Sequence, residues 1–429
     1  MDQASTGETM HRLVEAAKQV LPGGTFGNFP GEIVIREGCG GRVWDEDGKE
    51  YVDFLLGSGP MLVGHAHPEV TAAAQARIAQ GTTFFANNRW GIELAEAIVA
   101  AVPCAEQVRF VSSGSEADLY AMRAARAFKK RDKILKFEGG YHGMSDYSLM
   151  SLAPKELGNF PRPVPDSAGI PKSLREEILV APFNDLASVN SIVREYREEL
   201  AGVIVEPLQR IIPPQPGFLP GLRRITAENG IPLIFDEVVT GFRLAYGGAQ
   251  EYYGVVPDFC TLGKVIGGGF PLAAIAGRAE IMAHFDRNAV GDEGFLMQVG
   301  TLSGNPVAAA AGLATLAILR RSGAYERLFA TGRELMRSLD ELLKSAGIAA
   351  QLTGEPPLFD VVFSGEVVRD YRGTLRGDAA LLRRFNALLR ERGVLKGEQK
   401  YYVSLAHAED DVRHTIESWK SAIAALTTH

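Results

Sequence analysis

The chain has 429 residues, is 46% hydrophobic and 23% charged, and carries a formal net charge of −7. This composition is typical of a globular protein with a large core and two domains, and its mildly acidic balance excludes the basic footprint of a nucleic-acid-binding protein. Because the three cysteines are dispersed and no apolar run could span a bilayer, we expect a cytoplasmic, soluble protein without disulfides, a structural zinc site or a membrane partner.

The first part of the chain predicts one helix, several short strands and a second helix. Asp47-Gly48 stands between apolar runs and indicates a β-hairpin. The predicted elements are a helix over 6–20, strands at 33–35, 43–44 and 51–55, and a helix over 68–80.

From residue 91 onward, helices alternate with short β-rich runs. The runs are apolar and rich in β-branched residues, which is typical of buried parallel strands with helices on both faces of the sheet. Segment 150–180 contains five prolines and no clear period, and a loop of that length is often functional, for example as a lid. The predicted helices are 91–102, 115–128, 187–200 and 220–229, and the strands that follow them are 107–111, 133–137, 202–205 and 232–235.

After a helix over 305–321, the pattern changes to a compact α+β arrangement. The predicted elements are helices over 323–346, 378–392 and from 409 onward, with strands at 349–353, 358–363 and 401–405. We therefore expect three parts: an N-terminal segment 1–60 that packs with the small domain, a large domain 61–320, and a small C-terminal domain 321–429.

Ser112-Ser113-Gly114-Ser115-Glu116 lies between a predicted strand and a predicted helix. Small hydroxyl residues and glycine at this place leave backbone N–H groups free to bind an anion. The pattern also fits a plain helix N-cap with a capping-box glutamate, and both interpretations can hold together because they use neighbouring donors.

Two further strand ends carry candidate site residues. Asp236-Glu237 follows a buried apolar run, and buried acids need a cationic partner, so Asp236 could face a protonated ring nitrogen. Tyr141-His142 follows Gly139-Gly140, and the tyrosine ring could stack on a flat cofactor, although isolated aromatic residues more often pack in a core. His65 and His67 have poor ligand spacing, so we predict no metal site.

Lys264 lies between an apolar run and three consecutive glycines, Gly267 to Gly269. A half-desolvated lysine on such a turn can lose its proton and attack a carbonyl. The alternative is a surface lysine beside a glycine-rich turn, and the neighbouring motifs decide between the two.

Taken together, these motifs resemble the class III aminotransferases, which are pyridoxal-phosphate enzymes of fold type I. The resemblance covers nearly the whole chain and lies nearest to the glutamate-1-semialdehyde aminomutase-like branch. It implies an α/β fold with a large cofactor-binding domain, a mostly parallel sheet flanked by helices, and a smaller α+β domain. The motifs that carry it include Gly59–Pro68, Lys136–Gly143, Leu233–Val238, Gly247–Gly254 and Gly300–Pro306.

The resemblance also implies roles for individual residues. Lys264 would bind pyridoxal 5'-phosphate covalently and move a proton, while Asp236 would keep the pyridine nitrogen protonated. The remaining cofactor-binding residues implied are Ser113, Gly114 and Ser115 at the phosphate, Tyr141 and Val238 on the two ring faces, His142, Glu206 and Gln209 around them, and Thr301 from the partner subunit of a homodimer.

The substrate side departs from the aminomutases, because Thr25–Pro30 lacks their carboxylate-binding arginine and Ser58 replaces a tryptophan. We therefore predict an aminotransferase that moves an amino group from an amine, β-amino acid or ω-amino acid to a keto acid or aldehyde. The aminomutase reaction, another isomerase or decarboxylase, and a non-catalytic cofactor-binding protein are the alternatives. Candidate pocket residues are Phe26, Ser58, Phe84 and Phe85, with Arg89 and Arg210 as carboxylate partners or surface arginines.

Overall fold

The structure is a computed structural model that describes residues 6–427. The strands in this range are β1 (Ile35–Cys39), β2 (Arg42–Asp45), β3 (Glu50–Asp53), β4 (Gln107–Val111), β5 (Lys133–Phe137), β6 (Ile178–Ala181), β7 (Leu200–Val205), β8 (Leu233–Glu237), β9 (Phe259–Leu262), β10 (Ala273–Gly277), β11 (Gln351–Glu355), β12 (Leu358–Val362), β13 (Val394–Leu395) and β14 (Tyr401–Tyr402).

The helices pack around these strands, and in the described range none is both long and apolar enough to cross a bilayer. They are α1 (Thr6–Val20), α2 (Pro68–Ile78), α3 (Arg89–Ala101), α4 (Gly114–Lys129), α5 (Leu186–Tyr196), α6 (Phe218–Glu228), α7 (Gly248–Tyr253), α8 (Ala279–Met282), α9 (Arg287–Gly294), α10 (Pro306–Leu319), α11 (Ala324–Ser345), α12 (Tyr371–Thr374), α13 (Ala379–Glu391) and α14 (Glu409–Thr427).

A seven-stranded sheet in the order β4-β10-β9-β8-β7-β5-β6 forms the centre of the molecule. The neighbours from β9 to β6 are parallel, whereas β10 runs antiparallel to both β4 and β9. The predicted mostly parallel sheet is confirmed. Sequence analysis missed β10, because its residues Ala273–Gly277 are small and mostly lack β-branching.

The alternation of side chains along β8 decides which residues meet on each face of this sheet. Leu233 and Phe235 belong to one buried cluster, while Ile234 belongs to the second cluster, together with the alanines of α4. Since successive side chains point to opposite faces, Asp236 lies on the face covered by α4. Thr261 on β9 is in register with Asp236, so the two side chains are neighbours on that face.

Helix α10 holds the turn that carries Lys264. Its residues are almost all buried, and Gly312 approaches the turn so closely that a Cβ atom there would lie 2.0 Å from the Ile266 carbonyl oxygen. Glycine is therefore required at this contact, and the close packing fixes the backbone beneath Lys264.

Two smaller sheets complete the fold. The first has the order β1-β2-β3-β13, with β13 parallel to β3, and the second is the antiparallel sheet β11-β12-β14. The predicted hairpin is confirmed, because β2 pairs with β3 and Gly48 adopts a φ of +82° in the turn.

Segment 150–180 is less irregular than predicted. Its end forms β6, which pairs in parallel with β5 at the edge of the large sheet. Its start is held by the buried Lys136, whose Nζ donates to the carbonyl oxygens of Ser148 and Met150 at 2.7 Å each. Tyr371 and Arg372 of α12 donate to the carbonyl oxygens of Pro154 and Gly158, so the segment is tied to the C-terminal part.

Candidate active site

A cavity of about 340 Å³ opens at the carboxyl ends of the central strands. Ligands of α/β sheets commonly bind at this edge, and the volume is in the range of small-molecule sites, about 300–1,000 Å³. The structure brings eight predicted site residues together in its lining: Ser113, Gly114, Ser115, Tyr141, Glu206, Asp236, Val238 and Lys264.

The N-terminus of α4 forms one wall of this cavity. Ser113 is the N-cap, and its side chain and backbone form a capping box with Glu116. In the described part of the chain, the N–H groups of Gly114 and Ser115 have no acceptor and remain available to an anion. A Cβ atom at Gly114 would lie 2.9 Å from Val238 Cγ1, so glycine is needed where these two residues meet.

Asp236 lies at the base of the cavity and is nearly fully buried, with 5% exposure. Its Oδ2 lies 2.8 Å from His142 Nδ1, and its Oδ1 accepts from the Val238 N–H at 3.1 Å. Glu237, the next residue on β8, points to the opposite face and accepts from the Ala249 and Gln250 N–H groups of α7. Of the two predicted acids, only Asp236 therefore reaches the cavity.

The residues around Tyr141 are linked by hydrogen bonds. The Tyr141 N–H donates to Glu206 Oε2 at 2.8 Å, and burial raises the pKa of the Tyr141 hydroxyl. Gln209 lies outside the cavity lining, where its Nε2 donates to the Glu138 carbonyl oxygen at 2.8 Å. Two buried atoms of this region, His142 Nε2 and Gln209 Oε1, have no hydrogen-bond partner among the described residues.

Lys264 begins a short 3₁₀ turn directly after β9 and lines the cavity. Its φ of +47° is unusual for a residue other than glycine, and such strain is found where function needs one side chain in one position. Throughout residues 9–427, no acceptor contacts its ammonium group, which leaves the nitrogen available to a bound molecule.

Arg210 and Lys400 lie near the cavity without a carboxylate partner among the described residues. The Arg210 guanidinium is 5.2 Å from the centre of the Tyr141 ring. Burial, together with the charges of Arg210 and Lys264, lowers the pKa of the half-buried Lys400. Burial also opposes ionisation of Tyr402, but the charges of Lys400, Lys264 and Arg243 outweigh it and lower the pKa of this phenol. Tyr402 also packs in one cluster with Val239 of the cavity lining, so β14 reaches the site.

Nine predicted residues are absent from the lining of the cavity of their own chain: Phe26, Ser58, Phe84, Phe85, Arg89, His142, Gln209, Arg210 and Thr301. Phe26, Phe84 and Phe85 are exposed. Arg89 is also exposed and pairs with Glu93 at 2.5 Å, one helical turn away, as expected of a surface arginine. Thr301 is exposed, and its carbonyl oxygen accepts from the Thr83 hydroxyl. Ser58 is exposed and forms a hydrogen bond with Tyr402.

Sequence analysis missed several residues of the site. Asp118 lies on the buried face of α4, among alanines. An acid on an otherwise apolar helical face is the sequence signal that indicates a special role for this residue. Lys400 lies in a short irregular stretch before β14, where no periodic pattern indicates which way a side chain points. Pro60 and the loop Gly269–Leu272 close the cavity.

The chain is similar to known proteins over nearly its whole length. The family model for class-III aminotransferases matches residues 27–408. An omega-transaminase from Sphaerobacter thermophilus is 34% identical, with a TM-score of 0.91 over 97% of each chain. A beta-phenylalanine aminotransferase from Variovorax paradoxus is 32% identical, with a TM-score of 0.86 over 98% of this chain and 94% of that one. A glutamate-1-semialdehyde aminomutase from Pseudomonas aeruginosa PAO1 is 24% identical, with a TM-score of 0.86 over 99% of each chain, and shows the fold alone.

Proposed function

This chain belongs to the class-III aminotransferase family, and from that membership we propose how its own residues perform pyridoxal-phosphate-dependent transamination. The observation that supports the proposal is that one cavity contains an amine, a buried carboxylate and a site for an anion. Lys264, Asp236 and the free N–H groups of Gly114 and Ser115 all line it.

The residues of the cavity fit pyridoxal 5'-phosphate, the cofactor of this family. The N–H groups of Gly114 and Ser115 would hold the phosphate, because the first turn of a helix favours an anion. The Asp236 carboxylate would face the ring nitrogen, and His142 would orient that carboxylate through the 2.8 Å contact. Tyr141 and Val238 would pack on the two ring faces, and Glu206 would hold the Tyr141 backbone in place.

When bound, pyridoxal phosphate supplies an aldehyde that captures the donor's nitrogen and a protonated ring that accepts electrons from the substrate carbon. In our proposal the Lys264 amine carries the cofactor between turnovers and then takes up and returns the proton of the substrate carbon. Asp236 keeps the proton on the ring nitrogen, since a buried carboxylate favours a neighbouring cation. Pro60 and Phe270 limit access of water to the cavity.

The decisive experiment uses the purified holoenzyme with a panel of amines, β-amino acids and ω-amino acids, with pyruvate as the acceptor. Loss of donor that requires the keto acid supports transamination. Isomerisation or release of carbon dioxide without an acceptor would instead show an aminomutase or decarboxylase. A protein that binds the cofactor but converts no donor would be a non-catalytic member of the family.

For the donor, we propose a β- or ω-amino acid whose carboxylate binds between Arg210 and Lys400. Both side chains are cationic and lack a carboxylate partner in the described part of the chain, while Glu206 already accepts from the Tyr141 N–H. Burial and the nearby cations lower the pKa of Lys400, so its charged form gains most when an anion arrives. The similarity to a beta-phenylalanine aminotransferase points to the same substrate class.

We expect Arg210→Ala and Lys400→Met each to raise the KM for a β-amino acid by about 10–100-fold, because a hydrogen bond to a charged group contributes about 1.5–3 kcal/mol. The KM for an aromatic amine without a carboxylate should change by less than about threefold. Steady-state kinetics with both donors measure the difference.

Arg224→Ala is the matched control, because Arg224 is an exposed arginine of α6 without an ion-pair partner among the described residues. It should leave the KM of both donors unchanged. An equal loss for both donors in Arg210→Ala would contradict carboxylate recognition and indicate general damage to the pocket.

We also propose that the enzyme is a homodimer in which Thr301 of the partner subunit reaches the phosphate. The loops before α3 and before α10 are joined by hydrogen bonds from Thr83 to Thr301 and from Asn88 to Gly304. They expose the large apolar side chains Phe84, Phe85 and Leu302. An apolar surface of this kind beside an active site is typical of a subunit interface.

We expect sedimentation velocity to give twice the chain mass of 46.3 kDa. Phe85→Asp should shift the protein toward monomer and remove activity, because a charge would be buried at the interface. Thr301→Val should keep the dimer but weaken cofactor affinity by about tenfold, the effect of one hydrogen bond to a charged group.

Val367→Asp is the control for Phe85→Asp, since Val367 is also exposed but lies between β12 and α12. It should remain dimeric and active. An active wild-type monomer would exclude a site shared between subunits.

We also propose a division of the chain into residues 1–60, 61–320 and 321–429. A cytoplasmic location is a separate proposal. The pairing of β13 with β3 supports an N-terminal segment that packs with the C-terminal part. Three free cysteines, one of them exposed, support a reducing compartment.

A further inference from the structure

Asp118 is a buried acid that the mechanism above does not use. It lies in the second turn of α4 with 2% exposure. The Thr261 hydroxyl donates to Asp118 Oδ1 at 2.7 Å and lies 3.3 Å from Asp236 Oδ1. Asp118, His142 and Asp236 each offer one atom, and these atoms lie within 4.8 Å of one another. Two carboxyl groups and one imidazole therefore share one buried site.

The surroundings supply too little positive charge to stabilise the ionised forms of both Asp118 and Asp236. Among the described residues, Asp118 forms no ion pair, and the His142 imidazole is engaged by Asp236. The other ionisable groups that face Asp118 are Tyr141 and Lys264. The strands β7 and β10, which α4 also covers, contribute only apolar residues and glycine.

Two buried carboxyl groups with oxygens within 4.8 Å of each other cannot both be ionised. Burial and the charge of Asp236 raise the pKa of Asp118 well above its usual range. Asp236 is better placed to ionise, because it accepts from the Val238 N–H and contacts His142.

We propose that Asp118 is a positioning residue that keeps its proton in the holoenzyme and hydrogen-bonds through it to Asp236, so that Asp236 alone carries the negative charge toward the ring nitrogen. This inference rests on the proposed function of Asp236. Thr261 donates to the unprotonated oxygen of Asp118 and thereby directs its acidic proton toward Asp236. The neutral acid holds the carboxylate in place without competing for the ring proton.

The test compares the wild-type holoenzyme with Asp118→Asn by infrared spectroscopy in H₂O and D₂O. The wild type should show the carbonyl stretch of protonated Asp118, shifted in D₂O, as the band that is lost in the variant. Buried acids such as Glu237, whose pKa burial raises to about 7, contribute equally to both spectra. Asp340→Asn, which removes an exposed acid of α11, should retain the band. Because asparagine is also neutral and can donate a hydrogen bond, Asp118→Asn should keep kcat/KM within about threefold of the wild type.

The pH dependence of the bound cofactor's absorbance provides a second measurement. It should be unchanged in Asp118→Asn, whereas Asp118→Ala should shift it and lower kcat/KM by about tenfold, because Asp236 loses a hydrogen bond. A purely structural role of Asp118 would not move this titration.

Two results would overturn the inference: no acid band in the difference spectrum between the wild type and Asp118→Asn, or a stoichiometric metal ion in the holoenzyme bound by the three side chains. Each is distinct from failure of the proposed function, which would appear as a wild-type protein that binds no cofactor or transfers no amino group.

Discussion

Lys264→Ala is expected to abolish transamination, with a fall in kcat of about 10⁴-fold or more, the usual scale for loss of a covalent nucleophile. Lys264 is the only lysine in the lining of the cavity formed by the described residues, and Lys400, which interacts with the charge of Lys264, is not part of that lining. The visible absorption of the lysine-bound cofactor should disappear as well. Steady-state kinetics and an absorption spectrum measure the two losses.

The variant should remain folded, because the turn beneath Lys264 is held by α10 through Gly312 and not by the lysine side chain. Its melting temperature should stay within about 4 °C of the wild type. Lys264→Arg should be equally inactive, since it restores the charge without a nucleophile, and Lys344→Ala on the surface of α11 should be fully active. Turnover near the wild-type rate in Lys264→Ala would refute the proposed mechanism.

Asp236→Asn is expected to lower kcat by about 10³-fold while the cofactor remains bound. The phosphate site at α4 and Lys264 are unchanged in this variant, so affinity should fall much less than turnover. An amide cannot stabilise the protonated ring nitrogen as a carboxylate does. Single-turnover kinetics and the pH dependence of the cofactor absorbance separate this loss from a loss of binding.

Glu237→Gln is the matched control for Asp236→Asn, because Glu237 is the adjacent acid of β8 and points to the opposite face. It accepts from the Thr240 hydroxyl and the start of α7, so its replacement should reduce stability by about 1–3 kcal/mol and leave kcat nearly unchanged. The reverse outcome, a stable but inactive Glu237→Gln beside an active Asp236→Asn, would show that the roles of the two acids had been exchanged.

Much of the fold could be predicted from local patterns. The strands β4, β5, β7 and β8 follow amphipathic helices and are rich in apolar residues, so their periodicity identified them. The strand β6 was missed because it ends a proline-rich segment without a period. Its place at the sheet edge depends on pairing with β5, which no local pattern encodes.

The residues of the candidate site also differ in whether local sequence patterns predict them. Lys264, Asp236 and Gly114 lie in motifs that are contiguous in sequence. Gly114 and Lys264 follow strands β4 and β9, and Asp236 lies at the end of β8 in the same sheet. Arg89 was placed in the pocket by residue type alone, although Glu93 four residues later was a signal for a surface pair. The local pattern does not predict Asp118, because the importance of this α4 residue depends on Thr261 of β9 and Asp236 of β8.

The sequence by itself determined the family, the cofactor and eight of the residues that line the cavity. These properties are carried by short motifs at strand ends, and parallel strands bring their carboxyl ends to one edge. Only the tertiary structure decided which charges face each other. Asp118 meets Asp236 because α4 crosses the strand that carries it, and Lys400 approaches Arg210 because β14 reaches the site from the C-terminal part. Charge and burial act through space, and therefore the electrostatics of the site followed from packing and not from sequence order.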